Sequence, residues 1–376
     1  MIKLGIECEN LEDSKSRWGV GQMTLNLLRE YAKNQEWQKQ FKLYLYFKKI
    51  IPDNEVFKNP IFIKRVLGFP SFNIFYHILM PLRAMADRLD WMFFPAYMLP
   101  PLYLGKSIVM LTDDVYYEYK YGNLPFHYKL AYRLFTNWAA IKATKILAIS
   151  ETSKRETARL YGIKPEKIFV AYLGVSSNPQ SVIYNSKYDN YILYVGQMFS
   201  RRHAKETILA FKKFTIEYSH ILKNIGMSEL KLIMVGKDKY SPSIIKKLIE
   251  DTNKELGSER IIRYDYLDKR EDLDNLYTGA KALIYVSDRE AFGLPPMEAL
   301  SFGVPSVIAD NELGHELFGE YAFYAKSGSI NDIADAMREA ISNEKKAISI
   351  KSSGSEFVKK YNWENFTEIF FNNVKS

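Results

Sequence analysis

The sequence predicts an α/β protein made of two Rossmann-like domains that face each other across a cleft. Three observations carry that expectation. Short apolar runs alternate with helical patterns along the chain, as in parallel sheets covered by helices on both faces. The alternation starts afresh after residues 177–188, "SNPQSVIYNSKY", which follow neither period and carry Pro, Asn and Ser. A length of 376 residues also exceeds what a single core comfortably fills.

In the first set, "IKLGIE" reads as a buried strand. A Gly-x-Gly loop, Gly19-Val20-Gly21, leads into "QMTLNLLREYAKN", where Met23, Leu27, Leu28 and Tyr31 recur at helical spacing. "KLYLYF", "WMFFP", "SIVMLT" and "KILAIS" read as further strands. Ser153 and Glu156 form a capping-box pattern for the next helix, with Gly162 as its stop, and "KIFVAYLGV" closes the set. The second set runs "NYILYVG", a helix from Lys205 to Tyr218, "LKLIMVG", the helix "SIIKKLIEDTNKEL", "RIIRYDYL", a helix near Leu273–Ala280, "ALIYVS", a helix bearing Glu298, and "PSVIA". The terminal "GSEFVKKYNWENFTEIFFNNVKS" is helical and amphipathic. Its pattern fits packing on the second domain and crossing back to the first equally well. The expected divisions are 1–178, 189–355 and a terminal helix over 356–376. Ligands of open α/β sheets lie at the carboxyl ends of the strands, which singles out the loops after Glu7, Thr112, Gly196, Gly236, Ser287 and Ala309.

Composition narrows the function. The 52 basic and 44 acidic residues leave a charge of +8, suited to an anionic partner such as a nucleotide diphosphate or an anionic lipid. The basic residues fall in scattered pairs, and the absence of an arginine-rich arm, zinc-finger spacing or an RNA-binding signature argues against nucleic acid. A single cysteine, Cys8, excludes an internal disulfide and a cysteine metal site, and the five histidines show no metal spacing. No signal-peptide pattern and no run of about 18 apolar residues is present, which points to the cytoplasm. The segment "FPSFNIFYHILMPLRAMADRLDWMFFPAYMLPPLYLG" is rich in aromatics, methionine and proline. Core packing accounts for much of it, and part of it suits a lipid-linked acceptor or a membrane surface.

The stretch "DREAFGLPPMEAL", residues 288–300, carries the chemistry. Gly293 permits a tight turn, and Pro295 or Pro296 suits the first turn of a helix whose N-terminus favours an anion such as phosphate. Glu298 is expected inside that first turn, where a carboxylate is stabilising on structural grounds alone. Glu290 precedes the helix and has no such reason to be there. Two carboxylates eight residues apart are placed to accept hydrogen bonds from a polyol.

"DREAFGLPPMEALSFGVPSVIAD" resembles the Glu-x7-Glu signature of the retaining glycosyltransferases of family 4, which have the B-type, two-Rossmann fold. "WGVGQMTLNLL" resembles that family's N-terminal glycine loop. "KILAISETSKRETARLYGIKPEKIFVAYLGV" and "YILYVGQMFSRRH" resemble the end of its first domain and the start of its second. The resemblance implies that Glu290 meets donor-sugar hydroxyls and Glu298 the nucleotide ribose. It also implies that the backbone N–H groups of Ala291, Phe292, Gly293 and Leu294 serve the sugar and diphosphate. Gly19 and Gly21 would approach the diphosphate, and Arg201 and Arg202 would clamp it.

Two positions depart from the family pattern. Gln197 stands where an arginine is usual, and Asp113 where a histidine touches the donor sugar. Asp113 is expected to meet a sugar hydroxyl, with Asp114 holding structure. The catalytic set is then Glu290, Arg202 and Asp113, with no metal and no cofactor. The implied activity is transfer of a hexose, with mannose from GDP-mannose suggested by family habit and UDP- or dTDP-sugars open. The acceptor would be a saccharide or lipid-linked saccharide in cell-surface polysaccharide or lipopolysaccharide synthesis, with the protein cytoplasmic or peripheral at the inner membrane face. A sugar-nucleotide 2-epimerase and a catalytically weak nucleotide-sugar- or glycan-binding protein on the same fold are the alternatives.

Overall fold

A computed structural model describes residues 1–12, 19–122, 124–176, 187–267 and 269–376. The chain divides into two compact units: Met1–Gly174 with Tyr361–Ser376, and Val175–Lys360. The expected linker falls almost wholly outside the described residues.

The first unit holds a seven-stranded sheet in the order β3-β2-β1-β4-β5-β6-β7. Its strands are β1 (Ile2–Glu7), β2 (Phe41–Phe47), β3 (Ile63–Val66), β4 (Trp91–Phe94), β5 (Lys106–Met110), β6 (Lys145–Ala148) and β7 (Ile168–Val170). Every pairing is parallel. The second unit holds six parallel strands in the order β10-β9-β8-β11-β12-β13. These are β8 (Tyr191–Val195), β9 (Lys231–Val235), β10 (Ile261–Tyr264), β11 (Ala282–Tyr285), β12 (Ser306–Ala309) and β13 (Phe323–Ala325). Buried Leu193, Ile233 and Leu283 on adjacent strands build the core of this sheet. The α/β class with two parallel sheets agrees with the alternation in the sequence. Edge strands β3 and β13 were not anticipated, because "IKRV" is half charged and "FYA" has only three residues.

Helices relevant to the site are α1 (Val20–Lys33), α2 (Met80–Ala86), α3 (Asp113–Tyr121), α4 (Phe126–Lys142), α5 (Glu151–Tyr161), α6 (Ala204–Glu217), α7 (Arg270–Gly279), α8 (Leu294–Ser301), α9 (Glu312–Phe318), α10 (Glu344–Val358) and α11 (Trp363–Lys375). Two local readings are corrected. The N-cap of α5 is Ser150, whose hydroxyl accepts from the Ser153 N–H, so Ser153 and Glu156 lie inside the helix. Ser150 has the extended backbone that a capping residue needs, and Glu156 pairs with Arg159 instead. Gly162 does end the helix, in the left-handed conformation. The Gly-x-Gly loop is also shorter than read: Gly19 caps α1 with φ of 65°, while Gly21 is already its second residue.

The terminal segment is two helices. α10 ends at Val358, and α11 starts after Asn362, whose side chain accepts from the Asn365 N–H. α11 packs on the first unit's sheet. Phe371 sits among Tyr31, Trp37 and Phe41 at ring-centroid distances of 5.6, 5.2 and 4.6 Å, and Phe370 meets Phe93 at 4.7 Å. A methyl group on Gly174 would collide with the Trp363 backbone, so the absence of a side chain there lets the segment approach.

Candidate active site

Strand order places a topological switch point in the second sheet between β8 and β11, because chain progression reverses there. The loops leaving these two strands are those with the charged residues. Gly196 follows β8 and Gly236 follows β9, with φ of 140° and 150°. A methyl group on Gly236 would collide with the Gly196 carbonyl, so glycine permits this close approach of backbone. The chain then turns through Ser200–Arg202 into α6, presenting Arg201 and Arg202 to the loop after β11.

There the arginines meet Glu290. Arg202 binds it bidentately, Nε to Oε1 at 2.7 Å and Nη2 to Oε2 at 3.1 Å, and Arg201 Nη1 donates to Oε1 at 2.9 Å. Ser287 Oγ, at the end of the same strand, lies 3.1 Å from Oε1. The Arg202 guanidinium stacks 5.5 Å from the Tyr285 ring. Burial would raise the pKa of Glu290, but Arg202 and then Arg201 outweigh it and hold the carboxyl below its ordinary value. Glu290 is therefore ionised at neutral pH, with both guanidiniums turned to it. The two arginines expected to hold a diphosphate are, in this structure, the partners of the glutamate.

Gly293 caps α8 at φ of 104°, and Pro295 stands in the first turn. A pocket lies against this corner, enclosing about 320 Å³ with its open solvent. Tyr285, Ser287, Glu290, Phe292, Asn311 and Phe318 line it, so a carboxylate and two strand-end polar groups face an otherwise apolar hollow. Gly293 lines it too, and Ala291 and Leu294 flank that stretch.

Glu298 is not in the first turn of its helix. It is the fifth residue of α8, because the helix begins at Leu294. Its carboxylate accepts from Arg270 Nη1 at 2.7 Å and from Tyr277 OH at 3.0 Å, both on α7. Burial raises its pKa despite Arg270 and Tyr277, which favour the charged form. Arg270 and Tyr277 escaped the sequence reading, since separations of 28 and 21 positions give no local signal of such a contact.

Asp113 lies in the first unit, as the first residue of α3 after β5. It is 6% exposed, and its Oδ1 has no hydrogen-bond partner among the described residues. Asp114 instead accepts from the Thr112 hydroxyl at 2.5 Å. Burial, with the Asp114 charge beside it, pushes Asp113 up to about 7. Folding therefore favours the protonated acid, a stabilisation present in full below pH 3.8 and lost as pH rises through about 7. Asp113→Asn should gain on wild type by roughly 1.4 kcal/mol per pH unit across that window. Urea unfolding of both proteins at several pH values measures this, and a difference independent of pH would refute it. A second buried acid, Glu7, stands at the end of β1 at the first sheet's own switch point. Burial pushes it up to about 8, while the Glu9 N–H donates to it at 2.6 Å.

His203 does not stand free beside the arginines. Its Nε2 is 2.7 Å from Asp288 Oδ1 and its Nδ1 is 3.4 Å from Glu206 Oε2. Burial opposes the cation, but Asp288 and Glu206 prevail and push its pKa up to about 9. This stabilisation is complete below the ordinary value of 6.5 and disappears as pH rises through about 9. The stability lost in His203→Gln should therefore shrink by roughly 1.4 kcal/mol per pH unit from 6.5 to 9. Melting curves across that range check it, and a constant deficit would contradict the ion-paired imidazolium.

Among the described residues, no three His, Cys, Asp or Glu side chains gather as a metal ion would require. Nor, among those residues, is any helix long and apolar enough to cross a membrane.

Residues 179–357 match the family model of glycosyl transferases group 1. The chain is 25% identical over 254 residues to the O-antigen chain mannosyltransferase RfbU of Salmonella typhimurium, covering 66% of each chain. It is 26% identical over 243 residues to the O-antigen chain mannosyltransferase B of Escherichia coli, covering 62% of this chain and 61% of that one. The matched stretch thus spans just under two thirds of these relatives' length. Two solved structures align over the full length of both chains with TM-scores of 0.72. They are WaaG, a glycosyltransferase involved in lipopolysaccharide biosynthesis, at 16% identity, and Anabaena Alr3699/HepE in complex with UDP-glucose, at 14%. The chain therefore has the two-sheet architecture of the B-type glycosyltransferases, and its second domain matches the glycosyl transferases group 1.

Proposed function

We propose that the protein is a retaining glycosyltransferase that moves a hexose from a nucleotide sugar to a saccharide or lipid-linked saccharide acceptor. Mannose is the proposed sugar, GDP-mannose the proposed donor, and O-antigen or lipopolysaccharide synthesis the proposed setting. The observation that carries this reading is Glu290, an ionised carboxylate at the sheet's switch point, bordering a pocket beside the glycine-led start of α8. The two mannosyltransferase relatives support the choice of sugar, and they speak for transfer over the 2-epimerase reading.

In the proposed mechanism Glu290 accepts hydrogen bonds from donor hydroxyls. Arg201 and Arg202 hold it ionised and in place, and share their positive charge with the departing diphosphate. The acceptor attacks the face from which the diphosphate leaves, and the leaving phosphate takes its proton. No side chain is then needed as a dedicated base, and no metal or cofactor enters. Glu298, held by Arg270 and Tyr277, is assigned to the ribose, and Asp113 to a sugar hydroxyl. Gly19, Gly21 and the Ala291–Leu294 backbone are assigned to the diphosphate and sugar. The protein is proposed to act in the cytoplasm.

A thermal-shift screen against GDP-, UDP- and dTDP-sugars tests the reading. A ligand at 100 times its Kd adds about 2.7 kcal/mol to the native state, so the correct donor should raise the melting point by several degrees. The stabilising donor is then incubated alone and with saccharide acceptors. Transfer supports the proposal, isomerised donor alone supports an epimerase, and binding without turnover supports the catalytically weak binding protein. No shift from any donor at millimolar concentration would overturn the proposed site.

A further inference from the structure

Two helical stretches of the first domain expose apolar stripes where helices of a globular protein ordinarily present polar side chains. The first runs from Phe72 through a π-helical turn, Phe75–Leu79, into α2. Ile74, Ile78, Leu82 and Met85 recur along it at spacings of four, four and three, and all are exposed. The second is α4, which exposes Phe126, Leu130, Leu134 and Ile141, with Phe126 80% and Leu134 60% accessible. Inward, α4 buries only Thr136, Ala139 and Ala140. The stretches meet where His77 stacks on Phe135 with ring centroids 4.7 Å apart. Ile74 and Ile78 lie three residues before and one after that histidine, and Leu134 is next to Phe135, so both stripes reach the same contact.

Charge distinguishes what covers this face. Neither stretch contains an Asp or a Glu, although the chain carries 44. α4 carries Lys129, Arg133 and Lys142, none of them in an ion pair among the described residues. Arg83 on α2 is paired with Asp87 and contributes little. An apolar stripe whose unpaired charges, among the described residues, are all cationic is complementary to a surface that is apolar inside and anionic outside. A second copy of this chain would bring the same cations and no carboxylate to meet them, so self-association through this face is disfavoured. Nucleic acid would leave the leucines and phenylalanine without a partner.

We propose that these two helices dock on the anionic surface of a lipid bilayer. The apolar stripes enter the boundary between headgroups and acyl chains, and Lys129, Arg133 and Lys142 lie at phosphate level. The inference stands on the first domain alone and does not depend on the activity proposed above.

Flotation of the full chain with phosphatidylcholine vesicles, with and without phosphatidylglycerol, tests it. The wild type should float with the phosphatidylglycerol vesicles and be released by high salt. Leu82→Glu with Leu134→Glu should cut that binding about tenfold or more, with melting point and donor-induced thermal shift unchanged because both positions are exposed. Should that pair misfold, Lys129→Ser with Arg133→Ser gives an independent reading, lowering binding to the anionic vesicles only. Ile348→Glu, an equally exposed apolar position in the second domain, should bind like wild type. Absence of wild-type binding, equal binding to neutral vesicles, or undiminished binding by folded variants would each overturn the proposal. A wild-type dimer that Leu134→Glu converts to monomer would assign the face to a second copy and overturn it as well.

Discussion

Glu290→Gln should lower glycosyl transfer by on the order of 10²–10³-fold on the donor that stabilises the wild type. The substitution keeps the shape of the side chain and removes its charge. Two consequences follow from the same geometry. The donor loses a charged acceptor for its hydroxyls, and Arg201 and Arg202 lose the anion that three hydrogen bonds now hold between them. Breaking a buried pair costs about 3–5 kcal/mol. Arg201 retains 26% side-chain exposure and so is partly hydrated, which puts the expected loss of stability near about 3 kcal/mol. The two arginines separate under substitution. Arg202→Ala removes the bidentate partner and should cut transfer strongly, whereas Arg201→Ala removes one bond to Glu290 and should cut it less. Transfer rates at saturating donor, with urea unfolding on the same preparations, check the series. Glu290→Gln turning over within threefold of wild type, roughly 0.7 kcal/mol, would remove Glu290 from the reaction.

Phe371→Ala should cost the first domain about 3–5 kcal/mol, the usual range for emptying a fully buried phenylalanine site. Phe371 is 0% exposed and touches rings from α1, from the segment before β2 and from β2 itself, so no single element can collapse into the space. For a unit of this size the loss corresponds to roughly 10 °C in melting temperature. The second domain should be spared, because α11 belongs to the first unit. In calorimetry without ligand the first-domain transition should move while that of the second domain stays. A shift of less than about 2 °C would mean that α11 is not integral to that core.

Much of the fold was legible because its determinants are local. "IKLGIE", "ILYV" and "ALIY" announce buried parallel strands through apolar content and length, and Gly162 ends its helix because the left-handed turn there suits glycine. Local patterns failed where the deciding feature was backbone conformation. Ser153 reads as the cap from its spacing to Glu156, but the extended backbone after β6 places the cap three residues earlier, at Ser150. Glu298 falls just past the first turn, as the fifth residue of α8, since which residue begins the helix depends on where Gly293 turns the chain. The amphipathic pattern of "WENFTEIFFNNVK" identified a helix with a buried face but could not say what it faces. Aromatic partners on α1, β2 and β4 supply that answer.

By itself, then, the sequence determined the two sets of alternating strands and helices, the carboxylates placed at strand ends, and the arginine pair beside them. These follow from periodicity, turn chemistry and residue type within a few positions. Tertiary structure alone decided which charges meet. Strand order puts β8 beside β11, and that adjacency brings Arg201 and Arg202 onto Glu290 across almost ninety residues while α7 takes Glu298. Electrostatic partnership depends on distance in space, and distance in a parallel sheet is set by the order of strands rather than by their order along the chain.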